Sequence, residues 1–420
     1  MEKEKNKPVL RFSTFKEEWK MAPFGEVVDF KVTNSFSRDN LNYENGLVKN
    51  IHYGDVHTKF NTLFDITKEN VPFVNQEINV KRISEDFYCK EGDLIFADAS
   101  EDLNDVGKSI EIINLNNEKL LSGLHTLMAR PKDSLFSIGF VGYLFKSNNV
   151  RSQIKKQAQG SKVLSINVGR ISKINIFFPS LLEQTKIASF FSSVDKKLSQ
   201  LKQKKNLLEQ YKKGVMQKIF SQELRFKDEN GKGFPDWEKN KLGVVLIKNS
   251  NKNKGQKYSL VQSVSNKHGF INQDEMFEDR RVASKDTSNY YVIEKGHFAY
   301  NPSRIDVGSL AYKFDDIIST ISPLYISFSA KKEFLTDEYL LNWFKSEQFI
   351  KQMNSSFEGS VRNTLSYESL VKMKISIPSL SEQTKIANFL SALDNKINHC
   401  QLQIEKTENW KKGLLQQMFC

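Results

Sequence analysis

Asn301-Pro302-Ser303-Arg304 is the stretch of this 420-residue chain that comes nearest to a catalytic motif. In an Asn/Asp-Pro-Pro-aromatic tetrad, the polar side chain and a carbonyl grip an adenine amino group while the ring holds the extruded base. Here Ser303 and Arg304 stand where the second proline and the ring would be, so the holding surface is missing and methyl transfer by this chain is not expected. Other reactions are excluded on the same kind of ground. There is no GxxxxGK[ST] loop to cradle a nucleotide, no GxSxG and no HExxH. Gly139-Phe140-Val141-Gly142 is too sparse for a dinucleotide or methyl-donor loop and reads as a core strand. The histidines His52, His57, His125, His268, His297 and His399 have no metal-ligand spacing. Cys89, Cys400 and Cys420 form neither a CxxC nor a disulfide framework.

Recognition chemistry is what remains. The formal charge is +12, from 62 Lys and Arg against 50 Asp and Glu, a field suited to a polyanion as well as to plain solubility. Base edges are read by forked or amide side chains, while Lys and Ser hold phosphates. The first half offers Lys59, Lys81, Arg82, Arg151, Lys155, Gln159, Ser161 and Lys162 as candidates. The second offers Gln262, Ser263, Asn266, Lys267, Arg280, Arg281, Asn301, Ser303, Arg304, Ser360, Arg362 and Asn363. For any one of them an ordinary solvated loop is the competing reading. Asp98, Ser100, Glu101 and Asp105 would repel phosphate, although a carboxylate there could accept from cytosine N4.

These candidates sit in a frame that is written twice. Residues 179–220 recur at 378–419, beginning Pro179-Ser180-Leu181 and Pro378-Ser379-Leu380. Leu10-Arg11-Phe12 leading to Trp19 recurs as Leu224-Arg225-Phe226 leading to Trp237, and Gly160-Ser161 as Gly359-Ser360. Between these anchors the halves diverge, as expected of one scaffold holding two different readers. A period near 200 residues is far too long for a solenoid.

After each proline the apolar positions step by three and four, the a/d seam of a coiled coil. One seam runs Ile187, Phe191, Val194, Leu198, Leu201, Leu208, Val215, Ile219, with Lys205 and Lys212 in two slots. The other runs Ile386, Leu390, Leu393, Ile397, Cys400, Ile404, Leu414, Met418, with Thr407 and Lys411 filling gaps. Helices of almost 40 residues would each extend roughly 55–60 Å, and antiparallel pairing is the economical arrangement. Glu183, Gln184, Ile187, Phe191, Val194, Leu198, Glu382, Gln383, Ile386, Leu390, Leu393 and Ile397 are the candidates for the helix-pair or subunit interface.

The expected fold is mixed α+β: two globular α/β regions, 1–178 and 223–377, each followed by a helical spacer, 179–222 and 378–420. Short strands are expected at Lys108–Leu115, Ile174–Phe178, Tyr290–Ile293, His297–Tyr300 and Leu324–Phe328, and a helix over Asp337–Met353. No apolar run approaches the 18 residues of a membrane span, no basic helix pairs with exposed rings, and the charged N-terminus lacks a signal core. A cytoplasmic, nucleoid-associated protein with no membrane partner is expected.

With these residues in view, the chain resembles the specificity subunits of Type I restriction–modification systems. The resemblance rests on two Pro-x-Leu-x-Glu-Gln-x-x-Ile segments in matched register: Pro179, Leu181, Glu183, Gln184, Ile187 and Pro378, Leu380, Glu382, Gln383, Ile386. The stretch from Lys295 to Ser309 is also similar to one class of target-recognition domain, in which the position of Ser303 is often larger and apolar and that of Asp306 often Asn. The resemblance implies two target-recognition domains spaced by an antiparallel coiled coil, each reading half of a split double-stranded DNA target, the first taking the 5′ half. It implies as partners two modification subunits, which bind S-adenosylmethionine and methylate adenine, and restriction subunits driven by ATP and Mg. No catalytic residue and no cofactor is implied for this chain. The residues by themselves leave two alternatives open: a coiled-coil protein–protein scaffold without sequence-specific DNA binding and, less expected, a self-sufficient methyltransferase.

Overall fold

Pro179 and Pro378 each close a strand and release a long helix. In the computed structural model, strand Asn175–Phe178 gives way to helix Leu181–Phe220, of 40 residues. Strand Lys374–Ile377 gives way to helix Leu380–Gln417, of 38 residues. Proline cannot continue a sheet ladder or sit inside a helix, so it marks the change. The structure describes residues 6–132, 135–266, 268–273, 286–357 and 363–420. Lys267, Arg280, Arg281, Ser360 and Arg362 lie outside the described residues, as does the second Gly-Ser pair.

The chain forms two compact units that divide both long helices near their middles: Met1–Gln203 with Leu402–Cys420, and Lys204–Gln401. Within the first unit the helices run antiparallel. Phe190 packs edge-on against Trp410 at 6.0 Å, Phe191 stacks on Phe419 at 5.8 Å, and Lys202 Nζ lies 2.7 Å from Glu408. Val194, Leu198, Leu201 and Ile404 bury one another between them. Within the second unit, Val215 and Ile219 share a core with Ile386 and Leu390, again antiparallel. Of the three lysines in the seams, Lys205 lies 3.6 Å from Glu209 on its own helix, and the other two meet a carboxylate of the opposite helix. Lys411 donates to Asp195 at 2.5 Å in the first unit, and Lys212 to Asp394 at 2.5 Å in the second. Each pair is the other carried along by the internal repeat.

In the first unit a five-stranded sheet has the order Val28–Lys31, Thr126–Pro131, Leu94–Ala97, Ser109–Asn114, Leu63–Asp65. All its neighbours are antiparallel except the last pair. Leu94–Ala97 is buried along its whole length, which is why it reads as an unbroken apolar run. A smaller sheet orders Leu120–Ser122, Lys49–Ile51, Phe73–Val74 and Leu41–Asn42. Phe24, Phe96 and Phe145 interlock at 4.8–5.9 Å beneath the larger sheet. Trp19, Phe191, Leu414 and Phe419 extend the same core into the helices. Burying aromatic rings of this size dominates the stability of such a core.

The largest described sheet of the second unit is antiparallel and four-stranded, in the order Leu246–Lys248, Ile326–Ala330, His297–Tyr300, Leu310–Tyr312. Its core gathers Phe298, Phe328, Tyr339, Trp343 and Phe220. Each unit is also closed by a short ladder that ties the strand after the Trp to the strand before the Pro. Lys20–Pro23 pairs with Asn175–Phe178, and Glu238–Lys241 with Lys374–Ile377. Among the described residues no helix is long and apolar enough to cross a membrane.

Two expectations need correction. Gly139–Gly142 is no strand. Gly139 takes φ +91°, and the buried Glu111 carboxylate accepts the N–H groups of Gly139 and Gly142, each at 2.6 Å, starting helix Phe140–Leu144. The helix expected over Asp337–Met353 is two, Asp337–Trp343 and Glu347–Ser355. The Ser346 hydroxyl accepts the Phe349 N–H at 3.3 Å and caps the second helix, competing with continuation of the first. The strands form where expected with ends moved by at most two residues: Ser109–Asn114, Asn175–Phe178, Tyr291–Ile293, His297–Tyr300 and Ile326–Ala330.

Candidate nucleic-acid interface

The Glu-Gln pairs that open the long helices face inward. Glu183 is buried and accepts Arg11 through both carboxylate oxygens, at 2.7 Å each. Glu382 accepts Arg225 at 2.8 and 2.9 Å and also Trp237 Nε1 at 3.0 Å. These bonds explain why Leu-Arg-Phe…Trp and Glu-Gln recur together: one anchors the other. The forked geometry gives both strength and orientation. Gln184 accepts the Ser137 N–H and donates to the carbonyls of Leu135 and Pro179. Gln383 makes the same three bonds with Thr336, Phe334 and Pro378. Glu183, Gln184, Glu382 and Gln383 were expected at a helix-pair or subunit interface; all four are saturated inside their own units. Ile187, Phe191, Val194, Leu198, Ile386, Leu390 and Leu393 are buried, and Ile397 is half-buried.

That frame brings the same two loops together in each unit. In the first, the Ile166 N–H donates to the Asp98 carbonyl at 2.8 Å, and Ala99–Ser100 pairs with Leu164–Ser165. In the second, the Leu365 N–H donates to the Pro302 carbonyl at 3.0 Å, and Ser303 Oγ lies 3.5 Å from Thr364 Oγ1. Ile166 and Leu365 are equivalent positions of the repeat. The turn in the first unit needs its glycine: Gly160 has φ +136°, and a Cβ there would lie 1.9 Å from the Val163 carbonyl oxygen.

The polar side chains at this junction differ between the units. In the first, Gln159, Ser161 and Lys162 are exposed on the turn, and Arg170 donates to Gln159. Asp98 stands beside His125, whose Nδ1 is 3.2 Å away, and burial pushes the Asp98 carboxyl above its ordinary value. Lys155 reaches Asn104 at 2.7 Å from the neighbouring helix. In the second, Asn301, Pro302, Ser303, Arg304 and Leu324 line an open concavity of about 580 Å³. Arg304 and Leu324 are exposed there, Leu324 by 76%. The Asn266 amide donates to the Val307 carbonyl at 2.7 Å, and Asn363 is exposed.

Three predicted contacts point inward instead. The Arg151 guanidinium donates to the carbonyls of Asn104, Val106 and Gly107 at 2.8, 2.8 and 3.0 Å, where it holds the acidic loop. Gln262 is buried and accepts from Lys313 and Ser319, and buried Ser263 accepts from Gln273. Lys81 and Arg82 are exposed on the single turn Val80–Arg82, away from the junction in sequence. Lys59 is exposed, 3.0 Å from both Asp55 and the Tyr43 hydroxyl.

Sequence reasoning missed an aromatic cluster beside Asp98. Tyr53 packs against His52, His57 and His125 at 4.6, 6.1 and 5.4 Å between ring centres. Burial, then the Arg38 charge, holds His52 below its ordinary value. His125 adopts φ +55°, a conformation that costs a side-chain-bearing residue energy and is concentrated at functional sites. The one sequence signal was His52 and His57 flanking a Tyr-Gly pair; His125 is contributed from 68 positions beyond His57 by the fold. Among the described residues no group of His, Cys, Asp and Glu is arranged to hold a metal ion.

The family model of the Type I restriction modification DNA specificity domain matches this chain twice, over residues 16–210 and 236–406. A putative type I restriction enzyme MjaX specificity subunit of Methanocaldococcus jannaschii is 23% identical, across 98% of this chain and 95% of its own length. The MjaVIII specificity subunit of the same organism is 26% identical over 65% of this chain and 68% of its own. Among solved structures, a Type-I restriction-modification S subunit from M. genitalium shares the fold with a TM-score of 0.55, at 15% identity and 99% coverage of both chains. A chain from a study of complex assembly and conformational transition in the type I R-M system matches with a TM-score of 0.54 at 14% identity, covering 94% of this chain and 96% of its own.

Proposed function

The chain belongs to the Type I restriction modification DNA specificity family, and from that premise we propose that it is the non-catalytic, DNA-reading subunit of such a complex, each unit recognising one half of a bipartite duplex target. The observation that carries this reading is the repeated junction. One frame of buried Arg–Glu and Gln bonds presents two loops at equivalent places, and the side chains on those loops differ. Gln159, Ser161, Lys162 and Asp98 stand at one junction; Asn301, Ser303, Arg304 and Asn363 stand at the other. Sequence readout requires such side chains, on a rigid support, at base edges.

Lys59, Lys81, Arg82 and Lys155 are assigned to phosphate contacts, which fix position without reading sequence. Asn266, and Lys267, Arg280, Arg281, Ser360 and Arg362 beyond the described residues, complete the proposed set for the second half-site. The segmentation that follows is 1–178 and 223–377 for recognition, with 179–222 and 378–420 as spacers that set the distance between half-sites. The partners are two modification subunits, which supply S-adenosylmethionine chemistry on adenine, and restriction subunits that use ATP and Mg. The complex acts on DNA in the cytoplasm.

A binding competition separates this function from that of a scaffold with incidental charge. Assembled with its modification subunits at moderate salt, the chain is expected to keep a preference of about a thousandfold or more for its bipartite duplex over random competitor. Equal affinity for both duplexes, falling steeply with salt, is the result a scaffold would give.

A further inference from the structure

Arg304 differs from most of the arginines among the described residues. Among the described residues Arg11, Arg38, Arg130, Arg151, Arg170 and Arg225 each spend the guanidinium on a hydrogen bond within their unit. Among the described residues Arg304, like the exposed Arg82, makes no such bond, and unlike Arg82 it is exposed in a concavity, lined by Asn301, Pro302, Ser303 and Leu324. Its backbone, by contrast, is fixed on both sides. The Arg304 N–H donates to the Asn301 carbonyl and its carbonyl accepts the Ser309 N–H, each at 3.1 Å. The Ser303 N–H donates to Asn301 Oδ1 at 3.0 Å, the Pro302 carbonyl is held by Leu365, and Ile305 is buried just behind. A free fork on a pinned loop loses little entropy on binding a planar partner. Leu324 supplies an exposed aliphatic wall to the same concavity, which a phosphate has no use for and a base edge or thymine methyl does.

We propose that Arg304 is a specificity-determining residue: it reads a guanine in the half-site of the second unit through O6 and N7, with Leu324 packing against the adjoining base. The proposal rests on the reading that this unit holds a half-site. It excludes a phosphate role for Arg304, which would strengthen binding to every sequence alike.

The test maps methylated adenines across a genome in a host carrying the complete system, with the natural chain, Arg304→Ala and Arg304→Gln. Arg304→Ala is expected to relax one guanine position of one half-site, lowering its preference roughly 5- to 150-fold, and to leave the other half-site intact. Arg304→Gln should move that position toward adenine, the base an amide reads bidentately. An unchanged recognition sequence in both variants overturns the proposal. So does uniform weakening with a salt dependence shallower by about one phosphate. If the natural chain itself directs methylation to targets that are not bipartite, the half-site reading fails; bipartite sites that ignore both variants sink the Arg304 assignment alone.

Discussion

Among the described residues no cation pairs with Glu111, which lies buried against the N–H groups that open helix Phe140–Leu144. Burial pushes its carboxyl up to about 7, with the Gly142 and Gly139 N–H groups pulling the other way. Because its folded value stands above the unfolded one, the fold favours the protonated acid. Its contribution is therefore fully present below about pH 4.5 and is lost as pH rises through about 7. The loss is on the order of 3 kcal/mol. Urea melts of the natural chain and Glu111→Gln between pH 4.5 and 7 should diverge by about that much, with the variant flatter; parallel curves would refute the account of this carboxyl. At this scale the sequence was legible in part. The types of Arg304, Asn301 and Gln159 named them, and the fold leaves them at the junction. Arg151, Gln262 and Ser263 have the same chemistry, but their partners are backbone carbonyls and residues 10 to 57 positions away that no local pattern announces.

The long helices show what an element can carry. Their apolar steps were readable because a seam imposes its period on every turn. Two of their charged seam positions meet a carboxylate of the opposite helix: Lys411 with Asp195, Lys212 with Asp394. An apolar stripe tolerates sliding by a turn, whereas a half-buried ion pair does not, so these pairs favour one register. Reversing one partner, as in Lys411→Asp, should destabilise the first unit by about 1–3 kcal/mol, and Lys411→Asp with Asp195→Lys should recover most of it. Thermal melts of the two singles and the double check this; an additive double variant would show that the pair contributes nothing. The helix expected over Asp337–Met353 failed for a related reason. Its apolar spacing persists through the break, and only the hydroxyl of Ser346 taking the Phe349 N–H ends one helix and starts another.

For the whole molecule, the repeat disclosed a doubled frame but not how the chain is divided. Lys204–Gln401 is one continuous unit, whereas the first unit needs Leu402–Cys420 to bring Leu414, Met418 and Phe419 into its core. Residues 204–401 alone should therefore give a cooperative thermal transition and resist protease. Residues 1–203 alone should not, until a peptide of residues 402–420 is added. A folded 1–203 fragment would contradict this division. Sequence could not reveal it, because the segments that complete a core are chosen by tertiary packing and not by adjacency.

The central claim is that one frame carries two independent readers. Replacing residues 224–377 with the corresponding segment of another member of the family, and mapping methylated adenines by single-molecule sequencing in a host with the full system, tests it most directly. The account predicts that one half of the bipartite target changes while the other half stays as it was. A target altered in both halves, or in neither, would contradict it.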